Sequence, residues 1–474
     1  MKSISIRPLL VFGLNLVFNL DTVHAYVGSG PDQKPLTPIS SALGPPYQGI
    51  VDHPLHPPRI VYAQLDSDRD DMNTNTTELL KGMVPTAIHI SGNNKERFDL
   101  MFFSDGYTID EYYKFEEDVR ILRDDIVSNN GSMGHVADLL NIWATFIPSK
   151  YSGIGTHDKL LPGSVLGLYR PGSELRAVYV KHPKIARSAC KWFKDGKAGE
   201  GGCDQAILLG NDPLYGGLGG EFTIITASKL NGPQILRHEL GHSLIPVGEE
   251  YDGGFVYEGV NSDKVESLEN LSWKDYLSDP DHIRIEDAKM AVQAYPWHDL
   301  DKEPYNIPFS SFNLQNDTNR PYPTALLRTS LSSIPYSSHI DFILNGISID
   351  LSAHFPQELE GSHDRRWLDL PLLDGLKKGE NVIKVKLTEK GQNAEAGQGG
   401  KMITSLEVVE YGGGGRFNDT KGNIGAYPTF DLTGRMTLRP TNEECLMRNV
   451  THPNFCPVCA DQLRQSLLRK IAGK

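Results

Sequence analysis

Two histidines and a glutamate in the run from Ile235 to Gly254 have a spacing that suits metal chemistry. His238 and His242 are four residues apart. On a helix they lie one turn apart on the same face, with about 5–6 Å between their Cβ atoms, so both imidazoles can reach one tetrahedral metal. Glu239 is placed to hold a water beside that metal. In such an H-E-x-x-H sequence the histidines bind zinc and the glutamate is the general base of a peptidase. The alternative is an amphipathic helix that carries these residues by chance.

A catalytic zinc site needs a third protein ligand and one open position for water. The nearest carboxylates are Glu249 and Glu250. If the helix continued, Glu249 would lie about 10.5 Å beyond His242 along the axis, too far to share a metal. Pro246 is expected to end the helix, and Gly248 permits a positive φ, so the chain can turn back toward the histidines. We predict Glu249 as the third ligand and Glu250 as the alternative. An acidic, solvated loop is the interpretation without a metal.

Alternating strands and helices before this motif predict an α/β catalytic domain. Asp99–Phe103 is a continuous apolar strand of the buried type. Asp105 follows it as a turn residue, with a role beside the active site as the alternative. Thr108 and Glu111 have the spacing of a capping box that opens a helix. That helix is apolar on one face, at Phe115, Val119, Leu122 and Ile126. A second helix is predicted over 135–149, and strands over 176–181, 205–210 and 221–227.

The second half of the chain has a different pattern. Between 301 and 411, apolar and polar residues alternate in short segments that Gly, Asn and Pro turns separate. About five to seven such strands predict a β-sandwich. A glycine-rich stretch at 412–415 then returns the chain to the catalytic domain. A last helix is predicted from Ala460, with a buried stripe at Leu463, Leu467 and Ile471.

The N-terminus predicts export. Lys2 and Arg7 precede an apolar run, and Val23-His24-Ala25 provides a small-x-small cleavage site. This is the pattern of a secretory signal peptide, and the run is too short to span a membrane. We expect a secreted, extracellular protein. Six Asn-x-Ser/Thr sites support this expectation as candidate glycosylation sites: Asn75, Asn130, Asn270, Asn316, Asn418 and Asn449.

Charge and cysteines narrow the partners and the compartment. The 474-residue chain has a net charge of −13, which argues against nucleic acid and anionic membrane surfaces as partners. The five cysteines fit an oxidising compartment. Cys190 and Cys203 bracket a short loop and predict a local disulfide. The three remaining cysteines, Cys445, Cys456 and Cys459, favour a disulfide within the group, and a second zinc site at Cys456-x-x-Cys459 is the alternative.

Four segments together resemble the IgA-peptidase family of secreted metallopeptidases. They are DLMFFSDGYT, NIWATF, ILRHELGHSLIPVGEEYDGG and ECLMRNV with the following FCPVC, and they cover roughly 96–300 and 412–474. The added β-sandwich and the signal peptide resemble the fungal branch. The resemblance implies a metzincin-like zinc fold, in which Met447 occupies the methionine turn below the metal. In the metzincin pattern a Gly stands three residues after the second His, and a His or Asp three further on. Here Ile245 and Gly248 stand in those places, with Glu249 one place later.

Motif and resemblance together predict an α/β (α+β) metzincin-like peptidase domain with an inserted all-β sandwich. The segments are a signal peptide (1–25), a flexible leader (26–60), a strand-rich segment (61–95), the catalytic domain in two parts (96–300 and 412–474) and the sandwich (301–411). The expected function is zinc-dependent endopeptidase chemistry on protein or peptide substrates, with one Zn²⁺ per chain and Glu239 as general base. The alternatives are a secreted binding protein with a structural zinc, and an exopeptidase.

Overall fold

The computed structural model describes residues 75–128, 131–157, 159–172, 174–254, 256–313, 321–357 and 360–474. The predicted signal peptide and leader lie outside these residues, as does the start of the strand-rich segment. The chain divides into two compact units. The first contains the residues up to Gly172, Arg176–Gly248 and Pro453–Lys474; the second contains Ser173–Leu175 and Glu249–His452.

The first unit contains five α-helices and eight strands among its described residues. In chain order they are α1 (Asn75–Gly82), β1 (Pro85–Ile90), β2 (Phe98–Asp105), α2 (Tyr112–Val127), β3 (Leu140–Thr145), β4 (Leu168–Tyr169), β5 (Tyr179–Val180), α3 (Pro183–Lys194), β6 (Gln205–Gly210), β7 (Gly217–Leu218), β8 (Thr223–Thr226), α4 (Gly232–Leu244) and the C-terminal helix (Pro457–Ala472). The predicted strands before the motif are present in β2, β5, β6 and β8.

A mixed six-stranded sheet forms the centre of this unit, in the order β1-β3-β2-β6-β8-β7. The inner pairs are parallel, and β1 and β7 run antiparallel at the two ends. Every residue of β2, β6 and β8 is buried. This burial explains their continuous apolar sequences, because a parallel sheet is covered on both faces.

The helix predicted over 135–149 is wrong. A short 3-10 helix spans Gly134–Leu139, and the rest of the run forms β3, which pairs with β2 in parallel. Residues such as Ile142, Trp143 and Thr145 favour a strand, and all six residues of β3 are buried. A short apolar run has no periodicity that separates a buried strand from a buried helix, which is why the sequence misled us.

Helix α2 follows the sequence prediction. The Glu111 carboxylate accepts a hydrogen bond from the Thr108 backbone N–H at 2.8 Å. The predicted apolar stripe is buried, at Phe115, Val119, Leu122 and Ile126. The C-terminal helix begins at Pro457, three residues before the predicted start, and Leu463 and Leu467 are fully buried while Ile471 is half-buried.

The second unit is mainly antiparallel sheet. Its elements are β9 (Asp263–Lys264), β10 (Ala288–Ala294), β11 (His298–Asp299), β12 (Tyr305–Ser310), β13 (Thr324–Ser332), β14 (Ile340–Leu344), β15 (Ile347–Ile349), β16 (Arg366–Leu372), β17 (Glu380–Leu387), α5 (Glu389–Asn393), β18 (Met402–Tyr411), β19 (Tyr427–Phe430) and β20 (Met436–Arg439). The C-terminal helix of the first unit (Pro457–Ala472) comes last in the chain and is numbered α6.

Two of the sheets in this unit share one core. Their strand orders are β10-β18-β13-β16, with β11 also on β18, and β12-β17-β14-β15. One cluster of buried residues takes Leu327 and Leu406 from the first sheet and Phe342 and Ile383 from the second. The alternating strands predicted between 301 and 411 are therefore present. A third sheet has the order β19-β20-β9.

A buried carboxyl on β18 makes the stability of this unit depend on pH. Burial, followed by the Asp252 carboxylate, raises the pKa of Glu407 from 4.5 to about 7. The folded chain therefore holds a proton that the unfolded chain loses between about pH 4.5 and 7, so the free energy of unfolding falls as pH rises through this window. Between pH 5 and 8 this carboxyl should lower the free energy of unfolding of the wild type by about 2–3 kcal/mol. In Glu407→Gln this decrease should be absent. Urea unfolding at both pH values checks this. Glu303→Gln, at an exposed position, is the control and should keep the pH dependence of the wild type. The same pH dependence in Glu407→Gln would contradict the prediction.

Candidate active site

Helix α4 carries the HELGH sequence in the interior of the first unit. Pro233 lies in its first turn, where its missing N–H costs nothing. The helix ends at Leu244, and Ile245 is already extended, with φ −122° and ψ 145°. This is the effect predicted for Pro246, which disfavours helical backbone in the residue before it. All five residues of the sequence, from His238 to His242, are buried.

The two histidines converge as a pair of metal ligands would. Their Nε2 atoms are 3.3 Å apart, and the ring planes meet at 77°. Two nitrogens that each lie about 2.05 Å from a zinc ion, at a tetrahedral angle, are separated by about 3.3 Å. His238 is 3% exposed and His242 6% exposed. The donor atoms therefore fit a tetrahedral zinc.

Glycines in and beside β7 allow the strand to approach Glu239. A Cβ atom at Gly217 would lie 3.2 Å from Oε1 of Glu239, and one at Gly219 would lie 3.0 Å from Oε2. A Cβ at Gly219 would also lie 2.6 Å from the Glu239 carbonyl oxygen and 2.8 Å from the Cβ of His242. The end strand of the sheet thus lies directly against the face of α4 that holds the general-base candidate.

Gly219→Ala is expected to displace α4 or the chain after β7, because backbone atoms cannot yield to a contact of 2.6 Å as a flexible side chain can. Overpacking of this kind costs about 1–3 kcal/mol. We expect lower stability in urea and a loss of hydrolytic activity in the fraction that stays folded. Gly82→Ala is the control, since an added Cβ there meets nothing within 4 Å. Full activity of Gly219→Ala would contradict the close fit.

Hydroxyl groups fix α4 against the sheet. Ser243 Oγ donates to the Glu239 carbonyl oxygen at 2.9 Å and accepts from the Gly220 N–H at 3.1 Å. Thr223 Oγ1 on β8 lies 2.8 Å from the same hydroxyl. On the other side, Arg237 Nε lies 2.9 Å from Asp125 Oδ2 of α2. These contacts fix the orientation of α4 about its own axis. They therefore also fix the direction in which the two histidines and Glu239 point.

Glu249 and Glu250 are the first residues of the longer segment of the second unit. They differ in the contacts that they make within that unit. Glu249 is 4% exposed, and its N–H donates to the Val256 carbonyl oxygen at 2.7 Å. Glu250 is fully buried; its Oε1 accepts from Asn261 Nδ2 at 2.8 Å, and its N–H donates to the Met447 carbonyl oxygen at 3.1 Å. Burial, followed by the neighbouring Cys445, raises the pKa of Glu250 well above its usual value. The Glu250 carboxyl is therefore engaged within the second unit.

The cysteines follow the prediction in one part. Cys190 and Cys203 form a disulfide. The disulfide expected within the group of Cys445, Cys456 and Cys459 is absent: these three described residues are buried thiols outside any disulfide. Cys456 caps α6 with extended backbone while Cys459 lies within its first turn, so the two belong to a helix start that packs inside.

Asp105 has a structural role. Its carboxylate is fully buried at the end of β2 and accepts hydrogen bonds from the N–H groups of Leu166 at 3.0 Å and Leu168 at 2.8 Å, and from the Ser164 hydroxyl. Burial raises its pKa despite these hydrogen bonds. The residue ends a core strand, as predicted, and fastens the segment that leads into β4.

Three candidate glycosylation sites can be placed. Asn270 is exposed, whereas Asn418 and Asn449 are half-buried. Asn449 Nδ2 donates to Asp369 at 3.1 Å. Asn130 and Asn316 lie outside the described residues, as does the side chain of Asn75. Glycosylation stays a prediction at all six.

Sequence reasoning missed the residues that shape the site around the ligands. Gly217, Gly219 and Ser243 lie in segments whose composition is unremarkable. The glycines before the strand predicted over 221–227 were a signal for the first two, but they do not specify which helix packs there.

Potential metal ligands form buried groups among the described residues, and His238 and His242 belong to one of them. In the part of the chain that the structure describes, no helix is long and apolar enough to cross a lipid bilayer.

No curated protein sequence matches the chain. A solved crystal structure of a complex with neoagarooctaose is similar at 12% identity and a TM-score of 0.18, over 27% of this chain and 19% of that chain, which is too weak to support an argument. The chain spans about a fifth of that structure's length.

Residues 86–289, which include the whole of α4 and Glu249, match the family described as IgA peptidase M64. A match to this family implies a peptidase, and the buried ligand groups agree with metal-dependent chemistry. Over these 204 of its 474 residues the chain is similar to the IgA peptidase M64 family.

Proposed function

We propose that the protein is a secreted zinc-dependent endopeptidase. The observation that carries the proposal is the convergence of His238 and His242, whose Nε2 atoms lie 3.3 Å apart on the helix that also holds buried Glu239. A pair of histidines with this separation fits zinc, and a carboxylate beside the pair fits a general base. The family match over the same residues supports peptide-bond hydrolysis.

Glu249 is proposed as the third ligand. Glu249 follows His242 by seven residues, beyond the end of α4 at Leu244, and it is the first carboxylate after the helix. The carboxyl of Glu250 is engaged by Asn261, which supports Glu249 over its neighbour. Two histidines and one carboxylate leave a tetrahedral ion one open position, as catalytic zinc sites require. Met447 is proposed as the floor of the site, as in metzincin-like folds.

The chain's own residues supply the proton transfers. A zinc ion in this site would act as a Lewis acid and lower the pKa of a water from about 15.7 toward 7. Glu239 takes the proton of the attacking water and delivers it to the nitrogen of the leaving amine. Its carboxylate lies close to the backbone at Gly217 and Gly219, where a larger residue would crowd it. The low exposure of all three side chains excludes bulk water and strengthens the electrostatic interactions.

Secretion and a protein substrate complete the proposal. The signal-peptide pattern of residues 1–25 and the Cys190–Cys203 disulfide support an oxidising, extracellular setting. We propose the domain limits given above, with the catalytic domain in 96–300 and 412–474 and an inserted sandwich in 301–411, and we place the protein in the fungal branch of the family. The alternative, a binding protein with a structural zinc, is less well supported because structural zinc sites are usually closed sets of four Cys and His ligands.

Digestion of an unfolded protein mixture by the purified chain tests the proposal. We expect cleavage at internal peptide bonds, which mass spectrometry identifies by fragments with two new ends, and we expect a chelator to stop it and added zinc to restore it. Fragments that shorten only from one end would identify an exopeptidase. Binding of protein without any cleavage, in a zinc-loaded sample, would favour the binding protein.

A further inference from the structure

Arg448 is buried within the second unit although it carries a guanidinium: the residue is 2% exposed. Its Nη1 donates to Asp252 Oδ2 at 2.6 Å and to the Glu250 carbonyl oxygen at 3.2 Å. Its Nε donates to Glu443 Oε1 at 3.0 Å. Two of these three acceptors belong to residues 249–254, the segment that carries the proposed third ligand and that we call the ligand loop. One side chain thus joins the ligand loop to the residue 443 region.

Hydrogen bonds from backbone groups of β19 and of Met447 also hold the ligand loop. The second oxygen of Asp252 accepts from the Phe430 N–H at 2.8 Å, and the Gly253 N–H donates to the Phe430 carbonyl oxygen at 2.8 Å. The Glu250 N–H donates to the carbonyl oxygen of Met447, the residue before Arg448. Asp252 therefore accepts hydrogen bonds from both the Arg448 guanidinium and the β19 backbone.

Two members of this cluster, Arg448 and Glu443, have pKa values shifted toward their charged forms. Burial alone would lower the pKa of Arg448, but Asp252 and Glu443 outweigh it and raise the pKa. Burial alone would raise the pKa of Glu443, but Arg328, Arg448 and Arg439 lower it to about 2. Both shifts favour the ion pair between Arg448 and Glu443.

We propose that Arg448 and Asp252 are positioning residues that hold the ligand loop so that the Glu249 carboxylate is fixed for zinc before the metal arrives. The inference rests on the proposed function, because Glu249 is a zinc ligand only there. Neither residue is among the proposed zinc ligands. Groups that orient a metal ligand in this way change metal affinity about 10- to 100-fold when they are removed.

The contacts at position 448 use the geometry of arginine. Its planar guanidinium has five N–H donors in a rigid fork, and three acceptors in different directions use that fork here. A lysine ammonium keeps the charge but lacks the planar fork of five donors. Arg448→Lys therefore separates the positioning effect from the loss of a buried charge.

Zinc affinity, measured on the purified full chain by competition with a chelator, tests the proposal. We expect Arg448→Lys and Asp252→Asn to weaken zinc binding about 10- to 100-fold. Hydrogen exchange of the metal-free protein gives a second measurement: the N–H groups of Glu250 and Gly253 should exchange faster in both variants. Arg328→Lys is the matched control, because buried Arg328 pairs with Asp369 and Glu443 and makes no ion pair with the ligand loop.

The outcomes separate this inference from the proposed function. Weaker zinc binding and faster loop exchange in Arg448→Lys, with neither in Arg328→Lys, would support the positioning role. Equal effects of Arg448→Lys and Arg328→Lys would show a general structural role and overturn it. Zinc binding by wild type that Arg448→Lys leaves unchanged would overturn the positioning role alone. A wild-type protein that binds no zinc would overturn both the inference and the proposed function.

Discussion

Glu239→Gln is expected to bind zinc as the wild type does while it hydrolyses protein substrates about 10²- to 10⁴-fold more slowly, the usual contribution of a general base. A glutamine keeps the size of the side chain, which the contacts with Gly217 and Gly219 require. It removes only the basic oxygen. The histidines and the third ligand are unchanged, so the metal should stay. The measurement is the rate of proteolysis together with zinc content for the same preparation.

Glu266→Gln provides the control, because Glu266 is exposed and lies in the second unit. It should match the wild type in both zinc content and rate. Undiminished hydrolysis by zinc-loaded Glu239→Gln would remove the general-base assignment. Loss of zinc from Glu239→Gln would instead show that Glu239 helps to hold the metal.

The second large effect is expected from Glu249→Gln. A neutral amide is a much poorer zinc ligand than a carboxylate, so zinc affinity should fall by more than the roughly 100-fold that removal of an outer partner costs. Proteolysis should disappear at low zinc and return in part when zinc is added in excess. Chelator competition and a zinc titration of the rate measure the two effects.

Glu250→Gln is the matched variant one residue away. A glutamine at 250 can still accept the hydrogen bond from Asn261. It also replaces a carboxyl whose pKa burial raises well above its usual value. We therefore expect near-normal zinc affinity and rate. The reverse pattern, with Glu250→Gln losing zinc and Glu249→Gln keeping it, would make Glu250 the third ligand.

The sequence predicted the elements whose signals are local. The end of α4 before Pro246, the buried stripe of α2 and the strand at β2 all depend on neighbouring residues, and all are present. The strand β3 was mistaken for a helix because its pairing with β2 depends on residues about 40 positions away. Buried strands of this kind are decided by the sheet around them rather than by their own pattern.

The site divides in the same way. His238, Glu239 and His242 were predictable because one helical turn places them together. Gly219 and Arg448 were not, since each acts through a partner that is distant in the chain: α4 for the glycine, and the ligand loop, nearly 200 residues earlier, for the arginine. Spacing within a motif is visible in a sequence, whereas packing between distant segments is not.

Metal analysis of the purified protein, paired with cleavage of a mixed protein substrate with and without a chelator, tests the central claim most directly. We predict one zinc per chain, bound to the site that His238 and His242 form, and cleavage that the chelator stops. The same analysis of a His238→Ala, His242→Ala double variant should find no zinc and no cleavage. A wild-type protein that contains no zinc, or that cleaves equally well in the presence of the chelator, would contradict the account.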